Sequence, residues 1–198
     1  VRWLPRQEIL RFEDIHEIVR VGAELGIIRV RLTGGEPLIR EGLVELVRML
    51  AAVPHLEDLS LTTNGVLLAR HASELADAGL SRVNISLDTL QPDRFSAITR
   101  FGALDDVQRG IEAALEAGLH PVKLNVVVMR GVNDDEIVQI GRLALDRPLH
   151  VRFIELMPIG AYFSREKLVP VEEILARLGT LGELRPVEAP AGCGPART

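Results

Sequence analysis

The sequence predicts an α/β fold, a parallel sheet with the character of a barrel, on three observations. Strand-like and helix-like segments alternate along the chain, and strict βα alternation implies parallel strands joined by helical crossovers. The strand-like segments are apolar on one parity and polar on the other, whereas parallel strands covered on both faces read as almost continuously apolar. The polar residues also gather at the C-terminal ends of the strands, where barrel enzymes carry their active sites.

The elements follow in order. Glu13-Asp14 open a helix whose expected apolar stripe is Ile15, Ile18, Val19, Gly22 and Leu25, the spacing of one helical face. Gly26 is placed to cap it, and the run 28–32 is the first strand. Leu43, Leu46, Val47 and Leu50 mark the next helix. Then come strand 58–63, helix 70–78, strand 82–87, helix 104–117, strand 122–128, helix 134–145, strand 151–157 and helix 171–178. The phrases Glu24-Leu25-Gly26-Ile27, Asp77-Ala78-Gly79-Leu80 and Glu116-Ala117-Gly118-Leu119 repeat one helix-to-strand hand-off. Strand ends near Thr33, Thr62, Ser86, Asn125 and Met157 fall about one βα unit apart. No linker interrupts the series, so residues 1–180 are read as one barrel core and 181–198 as the start of a C-terminal region. The chain opens on Val1 and stops in a Gly- and Pro-rich stretch, and is expected to be a piece of a longer protein.

Composition narrows the class. With 47% hydrophobic and 26% charged residues the chain reads as globular. A net charge of −5 gives no global nucleic-acid footprint, though it leaves room for a local basic pocket. No apolar stretch approaches the length of a membrane helix, and no signal peptide is visible. The single cysteine, Cys193, excludes an internal disulfide and fits a reducing compartment. A cytoplasmic location is expected, with neither nucleic acid nor membrane as partner.

The polar parity points to a ligand. Ser60, Thr62 and Asn64 oppose Leu59, Leu61 and Thr63; Asn84, Ser86 and Asp88 oppose Val83, Ile85 and Leu87. Lys123 and Asn125 oppose Val122, Leu124 and Val126, while Arg29, Arg31 and Thr33 oppose Val30 and Leu32. Buried without partners, such groups would cost roughly 1–3 kcal/mol each, so they need a cavity, water or a ligand. Arg31 and Lys123 are the expected charge donors to an anion. In Thr33-Gly34-Gly35-Glu36-Pro37 the glycines let backbone approach a ligand closely or turn sharply, and proline ends the strand.

Thr33-Gly34-Gly35-Glu36-Pro37, Leu61-Thr62-Thr63-Asn64-Gly65, Asn84-Ile85-Ser86-Leu87-Asp88, Lys123-Leu124-Asn125-Val126-Val127 and Arg152-Phe153-Ile154-Glu155-Leu156-Met157 occur in that order, with the turn Gly131-Val132-Asn133-Asp134-Asp135-Glu136 between the last two. Together they resemble the radical S-adenosylmethionine superfamily and, more narrowly, the GTP 3′,8-cyclases of molybdenum cofactor biosynthesis. The resemblance implies a partial TIM-type (β/α)6 barrel and a lyase in which a [4Fe-4S] cluster cleaves S-adenosylmethionine. The resulting radical takes hydrogen from C3′ of GTP, and C3′ then bonds to C8. By motif match, Gly35, Ser86 and Met157 would bind S-adenosylmethionine, with Gly34 beside them, and Arg31, Thr62 and Lys123 would bind GTP. Glu36 and Asn125, also placed with S-adenosylmethionine, and Asp88 are weaker candidates, and Arg152 is set aside because it lies on the opposite parity from Met157. No residue is assigned as catalytic or as a metal ligand. An electron donor is the further implied partner, and a homodimer stays open.

The departures count as well. This family carries a Cys-x3-Cys-x2-Cys loop after its first strand and a second cysteine set near its C-terminus; this chain has neither, and Cys193 matches no ligand. Cluster binding needs several thiolates, so the chain as given is not expected to perform the reaction alone. The first barrel strand is expected to be missing as well. A peptide-modifying radical S-adenosylmethionine enzyme and a clusterless nucleotide-binding barrel remain alternatives, as does an aldolase-type barrel using Lys123 as a Schiff base. His16, His55, His71, His120 and His150 show no metal-ligand spacing. Asn133-Asp134-Asp135 is expected to cap a helix, Glu155 to be an acid or a lumen partner of Lys123 or Arg31, and Phe153 and Phe163 to pack.

Overall fold

Each strand of the sheet pairs with the strand that precedes it in the chain. The computed structural model describes residues 8–99, 102–158 and 164–187. Within them, β1 (Arg29–Leu32), β2 (Asp58–Thr63), β3 (Arg82–Ser86), β4 (Val122–Val128) and β5 (Leu149–Glu155) form one sheet in the order β1-β2-β3-β4-β5, parallel throughout. Every crossover therefore advances the sheet by one strand in the same direction. Right-handed crossovers then stack all helices on one face and leave the other free of them, as in a barrel wall. An open doubly wound sheet would reverse direction partway. The expected α/β barrel architecture is what the chain adopts.

The helices are α1 (Phe12–Glu24), α2 (Leu43–Ala51), α3 (Leu68–Asp77), α4 (Pro92–Thr99), α5 (Leu104–Glu116), α6 (Ile137–Asp146) and α7 (Val171–Leu178). The core lies between them and the apolar parity of the strands. Leu59, Leu61, Val83, Ile85, Leu87, Val122 and Leu124 pack there with Leu46, Leu50, Leu68, Leu75, Val107 and Ile111. A second cluster of Val128, Ile137, Val169 and Ile174, with Phe153 and Leu178 against it, seats α6 and α7. No helix among the described residues is long and apolar enough to cross a membrane.

The repeated hand-off has a single geometry. After α1, the Ile27 N–H donates to the Gly22 carbonyl at 2.9 Å and the Gly26 N–H to Ala23 at 3.0 Å. Leu80 and Gly79 do the same to Leu75 and Ala76, and Leu119 and Gly118 to Ala114 and Leu115. These are Schellman closures, which place the residue after the cap in the left-handed region. Gly26, Gly79 and Gly118 stand there at φ +94°, +99° and +74°.

Four details differ from the expectation. The stripe on α1 is Phe12, Ile15 and Val19 with the buried Ala23. Ile18 and Leu25 are 59% and 81% exposed, because this helix meets its neighbours along a narrow seam. α4 was not foreseen, since Phe95 is its one buried residue. The last strand begins at Leu149 and ends at Glu155, two residues earlier than expected. Asn133 makes no side-chain cap. It is buried, its Nδ2 donates to the carbonyls of Asp88 (2.7 Å) and Val127 (2.9 Å), and its Oδ1 accepts from Met129 N–H (2.7 Å). It ties the ends of β3 and β4 together. Phe163 and Cys193 lie outside the described residues.

Candidate functional site

Residues level with one another on parallel strands point to the same side of the sheet, so the register turns the polar parity into rows. Arg29 is level with Asp58. Above them, Arg31, Ser60 and Arg82 form the next row. Thr62, Asn84, Lys123 and His150 follow. Ser86, Asn125 and Arg152 are the last, at the C-terminal end. All of this lies on the helix-free face.

The chain carries net negative charge, yet this face carries Arg29, Arg31, Arg82, Lys123 and Arg152 against one carboxylate, Asp58, among the residues of these rows. That carboxylate is taken. Arg82 Nε donates to Asp58 Oδ1 at 2.8 Å and Nη2 bonds to Oδ2, with both side chains largely buried. Lys123 and Arg152 stand in the two upper rows, which hold no carboxylate. Clustered charge of one sign raises the local potential for a ligand of the other sign.

In the two upper rows, two buried polar atoms, Asn84 Oδ1 and Arg152 Nη2, have no hydrogen-bond partner among the described residues. The Asn84 amide is oriented by the Leu61 carbonyl, which accepts from Nδ2 at 3.3 Å, with Thr62 Oγ1 at 3.5 Å beyond it. The acceptor end is therefore the one left over. Lys123 is 1% exposed. His150, level with it, has its imidazole held below the usual range, first by burial and then by Lys123 and Arg152.

The sequence-predicted residues divide by position. The register brings Arg31, Thr62, Lys123, Ser86 and Asn125 onto one face. Gly34 and Gly35 follow the end of β1. Neither has positive φ, and a Cβ built on either meets nothing within 4 Å. Neither backbone conformation nor packing accounts for these glycines, which leaves open space along the backbone for a ligand. Both oxygens of Glu36 are engaged within the protein. Oε1 accepts from Leu38 N–H (3.1 Å) and the Thr63 hydroxyl (2.7 Å), and Oε2 from Asn64 N–H (2.7 Å). It ties the glycine turn to the end of β2. Met157 is 58% exposed and lies beyond the end of β5.

Other residues sit elsewhere than expected. The register puts Arg152 level with Asn125, on the face that carries Lys123. Its exclusion rested on parity with Met157, but the strand ends at Glu155, so alternation does not carry to Met157. Glu155 is not a lumen group, since it is level with Val128, on the helix side, and accepts from Val171 N–H at 2.6 Å at the start of α7. Asp88 Oδ1 accepts from Val127 N–H at 2.8 Å, and burial pushes its carboxyl up despite that bond. His150 gave no signal through metal spacing; pairing the strands at Leu149 would have found it. Among the described residues no three His, Cys, Asp or Glu gather as a metal site.

Comparison with known proteins sets this geometry in a family. A sequence model described as the Radical SAM superfamily matches residues 2–144. A GTP 3′,8-cyclase of Pelotomaculum thermopropionicum is 53% identical over the whole chain and 62% of its own length. A GTP 3′,8-cyclase of Heliobacterium modesticaldum is 56% identical over 98% of the chain and 60% of its own length. The chain thus spans about three fifths of these curated relatives. Among solved structures, a radical SAM methyltransferase from Sphaerobacter thermophilus superposes with TM-score 0.62 at 21% identity, covering 86% of this chain and 54% of its own. Coproporphyrinogen III oxidase from Escherichia coli gives 0.58 at 16% identity, covering 86% and 44%. The structural likeness speaks for the fold; the family match extends over most of the sequence, and the chain belongs to the radical SAM superfamily.

Proposed function

We propose that the full-length protein is a GTP 3′,8-cyclase, and that the polar face of the sheet is where S-adenosylmethionine and GTP meet. The observation that carries this reading is the excess of cation in the upper rows, where Lys123 and Arg152 stand level with His150 and Asn125 and no carboxylate shares their rows. A triphosphate is the kind of ligand such a set suits. Relatives at 53% and 56% identity bearing the cyclase name support the same substrate.

The superfamily's cofactors are S-adenosylmethionine and a [4Fe-4S] cluster. The first fits the residues present: the open backbone at Gly34 and Gly35 admits its methionyl end, with Ser86 and Asn125 level with each other on the same face. When bound and reductively cleaved, S-adenosylmethionine supplies a hydrogen-abstracting carbon radical. The cluster does not fit: the sequence has one cysteine, and among the described residues no acid, thiol and imidazole groups gather as a metal site. This chain by itself supplies no ligand set for it.

The remaining work falls to the chain's own residues. Arg31, Lys123 and Arg152 neutralise phosphate charge. The Thr62 hydroxyl faces Asn84 Nδ2, which leaves its proton available to orient the ribose or base. Asn84 Oδ1 offers a buried acceptor to a ligand hydroxyl or amine. The helix-side core behind them fixes the strands, so the ligands are positioned rather than merely collected.

The test uses the full-length protein, reconstituted without oxygen and supplied with a reductant, S-adenosylmethionine and GTP deuterated at C3′. The reading expects deuterium in the 5′-deoxyadenosine formed and matching loss of GTP. GTP binding without 5′-deoxyadenosine would leave a nucleotide-binding barrel, and transfer from an added peptide but not from GTP would leave a peptide-modifying enzyme.

A further inference from the structure

The polar face contains one titratable imidazole, and it is level with the most deeply buried cation. His150 on β5 is in register with Lys123 on β4 and two residues before Arg152. Those two are the charged groups that act on it; Asn125 and Asn84, on β4 and β3, are uncharged neighbours in the adjoining rows. α6 packs against β5 on the opposite face of the sheet, where Ile137 joins Phe153 in the second core cluster. In the free protein the imidazole is therefore neutral at pH 7, for three reasons acting together: it is partly buried, and Lys123 and Arg152 both repel a third positive charge.

A polyanion changes the sign of that environment. Phosphate oxygens arriving between Lys123 and Arg152 cancel the repulsion and add an acceptor, and an opposite charge within a few ångströms favours the charged form of an imidazole. We infer that His150 is a binding residue that takes up a proton when a polyphosphate binds, becoming a further cation on the ligand and making its affinity depend on pH. This rests on the reading that a triphosphate enters the polar face, and it goes beyond that reading by naming a residue and a proton. No metal or redox partner is involved: one proton moves from solvent to the ring.

The direction follows from linkage. A group whose pKa is higher in the complex than in the free protein strengthens binding as pH falls through the bound-state value, and binding weakens above it. One proton limits the effect to about tenfold in affinity per pH unit. The phosphate's own protonation works against this below about pH 6, so the comparison is made between proteins rather than between pH values alone.

The experiment is calorimetric titration of the full-length protein with GTP, and separately with inorganic tripolyphosphate, from pH 6 to 8 in two buffers of different ionisation enthalpy. His150→Gln runs in parallel. The expected result is uptake of a fraction of a proton near pH 7 in the wild type and none in the variant, whose affinity is then flatter with pH. Equal proton uptake in both proteins, or none in the wild type while GTP binds, overturns the role of His150 and leaves the cyclase reading standing. Tripolyphosphate binding with proton uptake but no GTP binding keeps the role and removes the substrate. Absence of proton uptake by the wild type overturns the role without any variant, and His150→Asn is measured as a second variant where His150→Gln folds poorly.

Discussion

Two arginines on the same face of the sheet have opposite fates. Arg82, low in the barrel wall, is closed off by Asp58 and both partners are largely buried. Arg152, in the top row beside Asn125, has no carboxylate in its row. The chemistry of the side chain is identical and the direction it faces is the same. What differs is whether the sequence supplies a carboxylate on the adjoining strands. Where it does, the charge belongs to the fold; where it does not, the charge is left for a ligand.

Breaking the lower pair should have the largest effect. Asp58→Ala removes the carboxylate bonded to the buried Arg82 guanidinium, and the expected loss of stability is about 3–5 kcal/mol, read as a lowered urea midpoint with little change in ligand specificity. Arg152→Ala is the counterpart. It should leave the urea midpoint nearly unchanged and weaken GTP binding by about 1.5–3 kcal/mol, the range for a charge-assisted bond. Lys123→Ala should likewise weaken GTP more than S-adenosylmethionine, and Ser86→Ala the reverse. Equal losses for both ligands in a binding titration would remove the division between the two sets of residues.

Gly35→Ala is a smaller effect. With φ outside the left-handed region and open space around the added methyl, stability should hold or rise by about 0.4–1 kcal/mol. Affinity for S-adenosylmethionine should fall by about tenfold, equivalent to about 1.4 kcal/mol. A stability loss instead would mean that the glycine serves the turn. The smallest effect lies at the rim. Hydrogen bonds from Arg130 and Arg177 hold the Glu173 carboxyl down at about 2. Its contribution is present above the ordinary carboxylate value and lost as pH falls through about 2. Thermal midpoints measured downward from pH 5 should therefore decline less steeply in Glu173→Gln than in the wild type.

Much of this was legible in the sequence because the pattern is periodic. Alternation along Leu59-Ser60-Leu61-Thr62 and Val83-Asn84-Ile85-Ser86 separates helix side from ligand side residue by residue, and the register agrees with it. The Ala-Gly-Leu phrases at Gly79 and Gly118 mark hand-offs because a Schellman closure needs positive φ at one fixed place. What escaped was whatever depended on where a period stops. β5 ends at Glu155, so counting parity back from Met157 put Arg152 on the wrong side. The same shift hid His150, whose meaning comes from the strand beside it. Asn133 looked like a cap from its local sequence, but its amide is spent on carbonyls of Asp88 and Val127, a contact between strand ends that local sequence does not encode.

The sequential strand order has a consequence for synthesis. A sheet in which each new strand docks on the one just made can be laid down as the chain leaves the ribosome, with one growing edge and no waiting for a distant partner. The binding surface matures on the same schedule. A nascent chain that has completed β3 already holds Thr62, Asn84 and Ser86, but Lys123 comes with β4, and His150 and Arg152 only with β5. Arg31 and these hydroxyls and amides are in place first and Lys123, His150 and Arg152 complete the set, so a growing chain has a weaker grip on nucleotides until its last described strand has docked.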